Sequence, residues 1–470
     1  MGGLIILGTF VDTPTRDAIR IRESYLCVVS LDTGKIVTLE CLPSTDWNVF
    51  SDDDVFKLAG KEFEGYKVLR LRKSQFVCPG FVDCHCHAPQ YKQIGTATDY
   101  TIFNWLNEVT FPNEAKCADL DYARSLYMKL VQRLLRNGTT CVQYFATNHV
   151  PASKLLADIC ENMGQRAFVG KVCADQNSRD YYVETTQESY EGTEEFINYV
   201  HGMKSGRDAK GKDALVNPVV TPRFVPTCSD ALLTKLGELA KKHDVRVQSH
   251  ASETVDQVLR VRKLHPDIGG GRDTAIFKHF GLLTDKTLFA HGTHLRDAEV
   301  DEIVRAGASV SSCPIANLMH SQAVLPVKRF HDRGLKIGLG TDIAGGYFAS
   351  MLGPIRNAVI QNRTEEFVAV DREGEGWPTA GVKWPVDFKY AFHVATVGGA
   401  EALGIQDLVG TLDIGKSFDA LIVDADRPDQ AFDYWAEDGA RFGFEKWVNM
   451  GDDRNVVSTF VNGRLVASRP

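Results

Sequence analysis

At 470 residues, 44% hydrophobic and 24% charged, the chain can form a barrel of roughly 250 to 400 residues with an accessory domain. A net charge of -8 with no local basic run excludes nonspecific nucleic-acid binding, which needs a basic face, and no apolar stretch approaches the ~20 residues that span a bilayer. Eleven cysteines without a Cys-x-x-Cys, and a start at Met1–Gly8 that lacks the basic region of a signal peptide, point to reduced thiols and a cytoplasmic location.

Residues 1–76 read as short strands: Leu4–Thr9, Tyr25–Leu31, Ile36–Leu39 and Val68–Leu71, with a hairpin turn at Asp32-Thr33-Gly34 and little helical period. From 77 to 405 the texture changes. Strands are expected at Phe81–His87, Thr140–Phe145, Ala167–Val172, Pro218–Arg223, Val245–Ser249, Leu288–His291, Ala308–Ser312 and Leu335–Leu339. Helices alternate with them, among them Asp119–Arg136 closed by Asn137-Gly138, Asp230–Lys242 capped by Ser229, and Asp297–Ala306. Eight such units make a (β/α)8 TIM barrel, an α/β fold. Lys204–Lys212 reads as a surface loop and Glu366–Pro385 as a long polar connection. Helical Phe388–Leu403 closes the barrel. Residues 406–470 return to strands, Ser417–Asp424 and a hairpin of Thr459–Val461 and Arg464–Val466 about Asn462-Gly463. The expected organisation is a small composite β-sandwich domain built from both chain ends, with the barrel inserted between them.

In such barrels the working residues sit at the C-terminal ends of strands. The first strand ends His85-Cys86-His87. Alternation along a strand sends Asp83, His85 and His87 to one face and Cys84 and Cys86 to the other, towards the helix layer. Two strand histidines alone mean little. The fifth strand, however, runs into His250 and Glu253, the sixth ends at His291, and the eighth runs into Asp342. His85, His87, His250 and Asp342 then form a nitrogen and oxygen donor set suited to Zn²⁺, with Fe²⁺ as the alternative. A metal lowers the pKa of bound water towards neutrality. Glu253, just beyond a ligand, suits a general acid/base. Asp342 could also hold the nucleophile, and His291 could polarise the group under attack. Singly, Glu253 reads as an N-cap or first-turn acid, His291 as a core histidine and Asp342 as a turn residue; their shared placement favours a metal site.

These motifs resemble the amidohydrolase superfamily, and within it the guanine-deaminating family. Pro79–His87 is similar to the superfamily's Pro-Gly-Phe-x-Asp-x-His-x-His strand, and His250 and Asp342 match its later ligands. Ala88-Pro89-Gln90, Thr221-Pro222-Arg223-Phe224, Ser249–Thr254, Gly340-Thr341-Asp342 and Gly451–Asn455 are the narrower matches. The resemblance implies one Zn²⁺ per chain, guanine and water as substrates, and a homodimer. It also implies that Gln90, Arg223 and Phe224 meet the purine beside His87, His250 and His291, with Glu253 and Asp342 shuttling protons. An amide and a guanidinium suit the donors and acceptors of a purine edge. The zinc motif of the nucleic-acid-editing deaminases is absent.

Two other readings compete. One is an amidohydrolase acting on another aminated heterocycle, a chlorinated triazine or a cyclic amide. A binuclear version would need a bridging carboxylated lysine, for which Lys171 on the third strand is the candidate. The other is a scaffold that keeps the barrel without catalysis, which should lack one or more of the ligands that this chain retains.

Overall fold

Runs rich in β-branched and apolar residues, buried on both faces, are what a parallel sheet under helices requires. In the computed structural model, which describes residues 2–204, 214–321, 323–373 and 386–469, all eight expected barrel strands form, displaced by no more than two residues at either end. Numbered along the whole chain, β1 (Gly3–Thr15), β2 (Ala18–Ser30), β3 (Ile36–Cys41), β4 (Lys67–Arg70) and β5 (Gln75–Pro79) come first. The barrel follows as β6 (Phe81–His87), β7 (Thr139–Phe145), β8 (Arg166–Gly170) with its extension β9 (Val172–Cys173), β10 (Val216–Pro222), β11 (Arg246–Ala251), β12 (Thr287–His291), β13 (Ser309–Ser312) and β14 (Lys336–Leu339). The chain ends with β15 (Ala420–Asp424), β16 (Val456–Val461) and β17 (Arg464–Ser468).

Barrel strands pair in parallel and in chain order, from β6 round to β14. The ring closes just past the end of β14. There the Asp342 amide donates to the His85 carbonyl at 2.8 Å, and the His87 amide donates to the Ile343 carbonyl at 3.0 Å. Closure is therefore made by the residues that carry the candidate ligands.

Helix ends follow local chemistry. Asp119 accepts from the amides of Asp121 and Tyr122 to open Leu120–Arg136, and Ser229 caps Asp230–His243. Past Asn137, Gly138 takes a φ of +85°, a conformation that favours glycine.

The two chain ends meet in one mixed sheet, ordered β17-β16-β15-β5-β1-β2-β3 with β4 beside β1. Residues of β5 still belong to this sheet, so the change to the barrel falls at Gly80. Apolar side chains pack on both of its faces. A buried ion pair, Arg166 to Asp419 at 2.9 Å, ties the start of β8 to the strand entry at β15.

Two readings need correction. The first 76 residues contain a helix, Asp52–Ala59, opened by a Ser51/Asp54 capping box. The polar connection from Glu366 begins inside a helix, Leu352–Glu373; the rest of that stretch, and Lys204–Lys212 beyond Lys204, lie outside the described residues. The β6–β7 ladder shifts register between Asp83 and Cys86, yet alternation holds. Cys86 packs with Tyr127 and Leu130, and Cys84 packs with Ala400, Ala402 and Leu403 of the closing helical segment, its Sγ 3.7 Å from the Gly399 carbonyl.

Candidate active site

The strand ends deliver His85, His87, His250, His291 and Asp342 to one point. One nitrogen from each of His85, His87 and His250 falls within 4.8 Å of the others. His87 Nε2 and His250 Nε2 are 3.1 Å apart. His85 Nε2 lies 3.1 Å from Asp342 Oδ1, yet both nitrogens of this fully buried ring lack a hydrogen bond. Buried polar atoms are almost always partnered, so an unpartnered His85 ring among converging donors fits a cation between them. Burial pushes His85, His87 and His250 well below the usual histidine range, leaving the neutral imidazoles that bind metals. His250 is oriented through Nδ1, 2.7 Å from the Arg223 carbonyl, and a bond on the far nitrogen is how ligand imidazoles are aimed. Burial also raises the Asp342 carboxyl to about 6, a proton that a bound cation would displace. Together the three histidines and Asp342 could hold a divalent metal.

Asp83 sets this corner. Its Oδ1 accepts from the Thr341 amide at 2.9 Å and the His85 amide at 3.2 Å, and its Oδ2 from Thr341 Oγ1 at 2.5 Å. Asp342 (φ +47°), His291 (φ +71°) and Ser252 (φ +49°) adopt left-handed backbones, a strain that non-glycine residues keep at functional sites.

A cavity of ≈ 450 Å³, open mouth included, lies over the donors, a size that suits a small ligand. It is lined by His87, Gln90, Arg223, Phe224, His250, Glu253, His291 and Asp342, so every residue read as substrate-facing reaches it, with His85 buried behind. Glu253 is not a helix cap: Thr254 caps the helix Val255–Leu264. Its Oε1 stands 3.7 Å from His291 Nε2, whose ring is held through Nδ1 at 3.0 Å from Asn317 Oδ1. Burial works against charge on His291, but Glu253 and Asp342 outweigh it and hold the imidazole above its usual range.

Other lining residues carried no readable signal. Trp105 and Leu106 come from the excursion after β6, and His320 from the π-helical turn Asn317–Ser321. Cys313 also comes within reach, in a second group with His85 and His291. Glu114, behind the cavity wall, bonds both Arg223 and Gln90. Lys171 is excluded as a bridging ligand, because its Nζ bonds Glu184 Oε2 at 2.6 Å and Ser189 Oγ at 3.4 Å.

With this geometry in view, comparisons place the chain. Residues 76–466 match the amidohydrolase family. The chain belongs to that family. Within it, the chain is similar to guanine deaminases. The guanine deaminase of Dictyostelium discoideum is 40% identical, over 84% of this chain and 83% of its own length. That of Homo sapiens is 38% identical over 98% of this chain and 96% of its own. The structure of guanine deaminase from C. acetobutylicum, with guanine bound in its active site, aligns with a TM-score of 0.82 at 31% identity, covering 99% of this chain and 100% of that one.

Proposed function

We propose that this chain hydrolyses guanine to xanthine and ammonia at a single zinc ion. The observation that carries the reading is the pairing of two ends in one cavity: three converging imidazoles at one, with both His85 nitrogens unpartnered, and a guanidinium and an amide at the other. Guanine deaminases that align along nearly the whole chain support it.

His85, His87, His250 and Asp342 would hold the ion, which when bound makes water acidic enough to supply a nucleophile near neutral pH. The remaining steps belong to the protein. Glu253 takes a proton from the attacking water as its oxygen adds to C2, and passes that proton to ring nitrogen N3. His291, kept above its usual range by Glu253 and Asp342, offers a donor to charge on the oxygen that adds to C2. Asp342 accepts the second proton of the water and returns it to the amine. The C2–N bond breaks, ammonia leaves, and C2 keeps the carbonyl oxygen of xanthine. Arg223 and Gln90 hold the polar edge of the base, Phe224 offers it a ring face, and Trp105 and Leu106 keep solvent away.

A homodimer and a cytoplasmic location complete the reading. Free thiols at all eleven cysteines support a reducing compartment, and among the described residues no helix is long and apolar enough to cross a membrane. Purified protein incubated with a panel of aminated heterocycles should release ammonia from guanine and carry close to one zinc per chain. Release from another member but not guanine, or close to two metals per chain, would overturn the reading. Sedimentation tests the dimer.

A further inference from the structure

One buried carboxylate beside the cavity takes no part in these steps. Glu114 lies on the helix Phe111–Ala115, directly after the π-helical turn Leu106–Thr110, a device common at functional sites. Its side chain has no solvent exposure. Oε2 accepts from Arg223 Nη1 at 2.7 Å, while Oε1 accepts from Arg223 Nη2 at 3.2 Å and from Gln90 Nε2 at 2.8 Å. Gln90 Oε1 in turn accepts from the Ala344 amide at 3.0 Å, two residues past Asp342.

One carboxylate thus anchors both polar groups of the recognition wall. A guanidinium held by two parallel bonds cannot turn, and its remaining N–H donors keep one direction. The Gln90 amide is equally fixed, since its nitrogen must face the carboxylate and its oxygen the amide N–H; one N–H and one lone pair are left over. Further bonds brace this wall. Gln93 Nε2 donates to Thr110 Oγ1 and Asn113 Nδ2 donates to Gln93 Oε1, each at 2.9 Å. The Arg223 guanidinium also sits over the Phe111 ring, 5.0 Å from its centroid. Charge matters as well: Glu114 balances Arg223, so the wall presents directed donors without net charge. Such a wall fits an uncharged base with a ring carbonyl rather than a carboxylate or phosphate.

We infer that Glu114 is a positioning and specificity residue, which fixes Arg223 and Gln90 so that they read the ring-carbonyl edge of an uncharged purine. The inference rests on the guanine reading above. The test compares Glu114→Gln with wild type for guanine turnover, metal content, and binding of hypoxanthine (which keeps the ring carbonyl) and purine (which lacks it). KM for guanine and Kd for hypoxanthine should each rise ~10-fold or more, the scale of a hydrogen bond to a charged group. The kcat should change less, and purine binding and metal content should hold. Combining Glu114→Gln with Arg223→Ala should add little to Arg223→Ala alone. An unchanged KM, or equal losses for hypoxanthine and purine, would overturn the inference. Glu114→Asp, which keeps the charge but withdraws it, gives the same comparison if the glutamine variant does not fold. A wild-type protein inactive on guanine would instead defeat the guanine reading, and the hypoxanthine-to-purine binding ratio would still test Glu114.

Discussion

The two ends of the cavity solve opposite problems with equally buried polar groups. At the strand ends, His85 and His87 keep ring nitrogens without partners, and Asp342 approaches them without forming hydrogen bonds. Across the cavity, Glu114, Arg223 and Gln90 satisfy one another at 2.7–3.2 Å. Leaving a buried polar atom unpaired costs about 1–3 kcal/mol, so the first region gains stability when a cation binds it. The second is complete before substrate arrives. One region is built to be filled, the other to be rigid.

Removing a ligand should break this contrast most severely. His85→Ala or Asp342→Ala should lower bound zinc and turnover together, read by metal analysis beside ammonia release; unchanged zinc in both variants would contradict their role as ligands. Next comes Glu253→Gln, which leaves the donor set whole. Here zinc and fold should persist while turnover drops at least ~10²-fold, the low end for general acid–base work. Near-full activity in this variant would remove Glu253 from the proton path.

Arg223→Ala probes the rigid end and should be the milder change for chemistry. Zinc stays and the specificity constant for guanine falls. Stability also falls, because Glu114 is left buried and uncompensated, a situation that costs about 3–5 kcal/mol in comparable pairs. Pairing it with Glu114→Gln should recover much of the stability without recovering specificity. A normal specificity constant in Arg223→Ala would mean that the rigid end does not read the substrate.

The same contrast separates what was legible in the chain from what was not. Ligands on strands follow a short-range rule, since β-rich runs announce strands and strands end at the rim. Hence the places of His85, His250, His291 and Asp342 are legible in the chain itself. Glu114 obeys no such rule. It sits 24 residues past Gln90 and 109 before Arg223, on a short helix whose position depends on how the excursion after β6 folds back. The helix Asp52–Ala59 was missed differently. Ser51 and Asp54 spelled its capping box, but the β texture on either side outweighed that local signal. Cys84 and Cys86 follow alternation despite a register shift in β6, because both side chains still meet helices outside the barrel.

A pH dependence gives the smallest effect and links the contrast to stability. His85, His87 and His250 are held neutral by burial, well below their usual range, so the unfolded chain binds protons near pH 6.5 that the fold refuses. Their contribution is present above pH 6.5 and lost as pH falls. Asp83, Asp273 and Asp342, raised by burial to about 7, about 6 and about 6, act in the opposite sense, as do the raised Glu184 and His291. The fold holds their protons where the unfolded chain has released them, which favours the fold as pH falls from 7 towards 4. His331 lies outside both ends of the cavity but shares the imidazole sign. Burial lowers it to about 3, with Nδ1 2.5 Å from the Tyr390 hydroxyl. His149, His201, His320 and His393 are likewise lowered by burial, so the lowered imidazoles outnumber the raised groups. The Tm of chelator-stripped protein should therefore fall from pH 7.5 to 5. His331→Gln should make that fall shallower without abolishing it, since the cavity histidines remain. A flat Tm in the stripped wild type would mean that the buried donors are not held neutral, and the contrast between the ligand end and the satisfied one would lose its electrostatic basis.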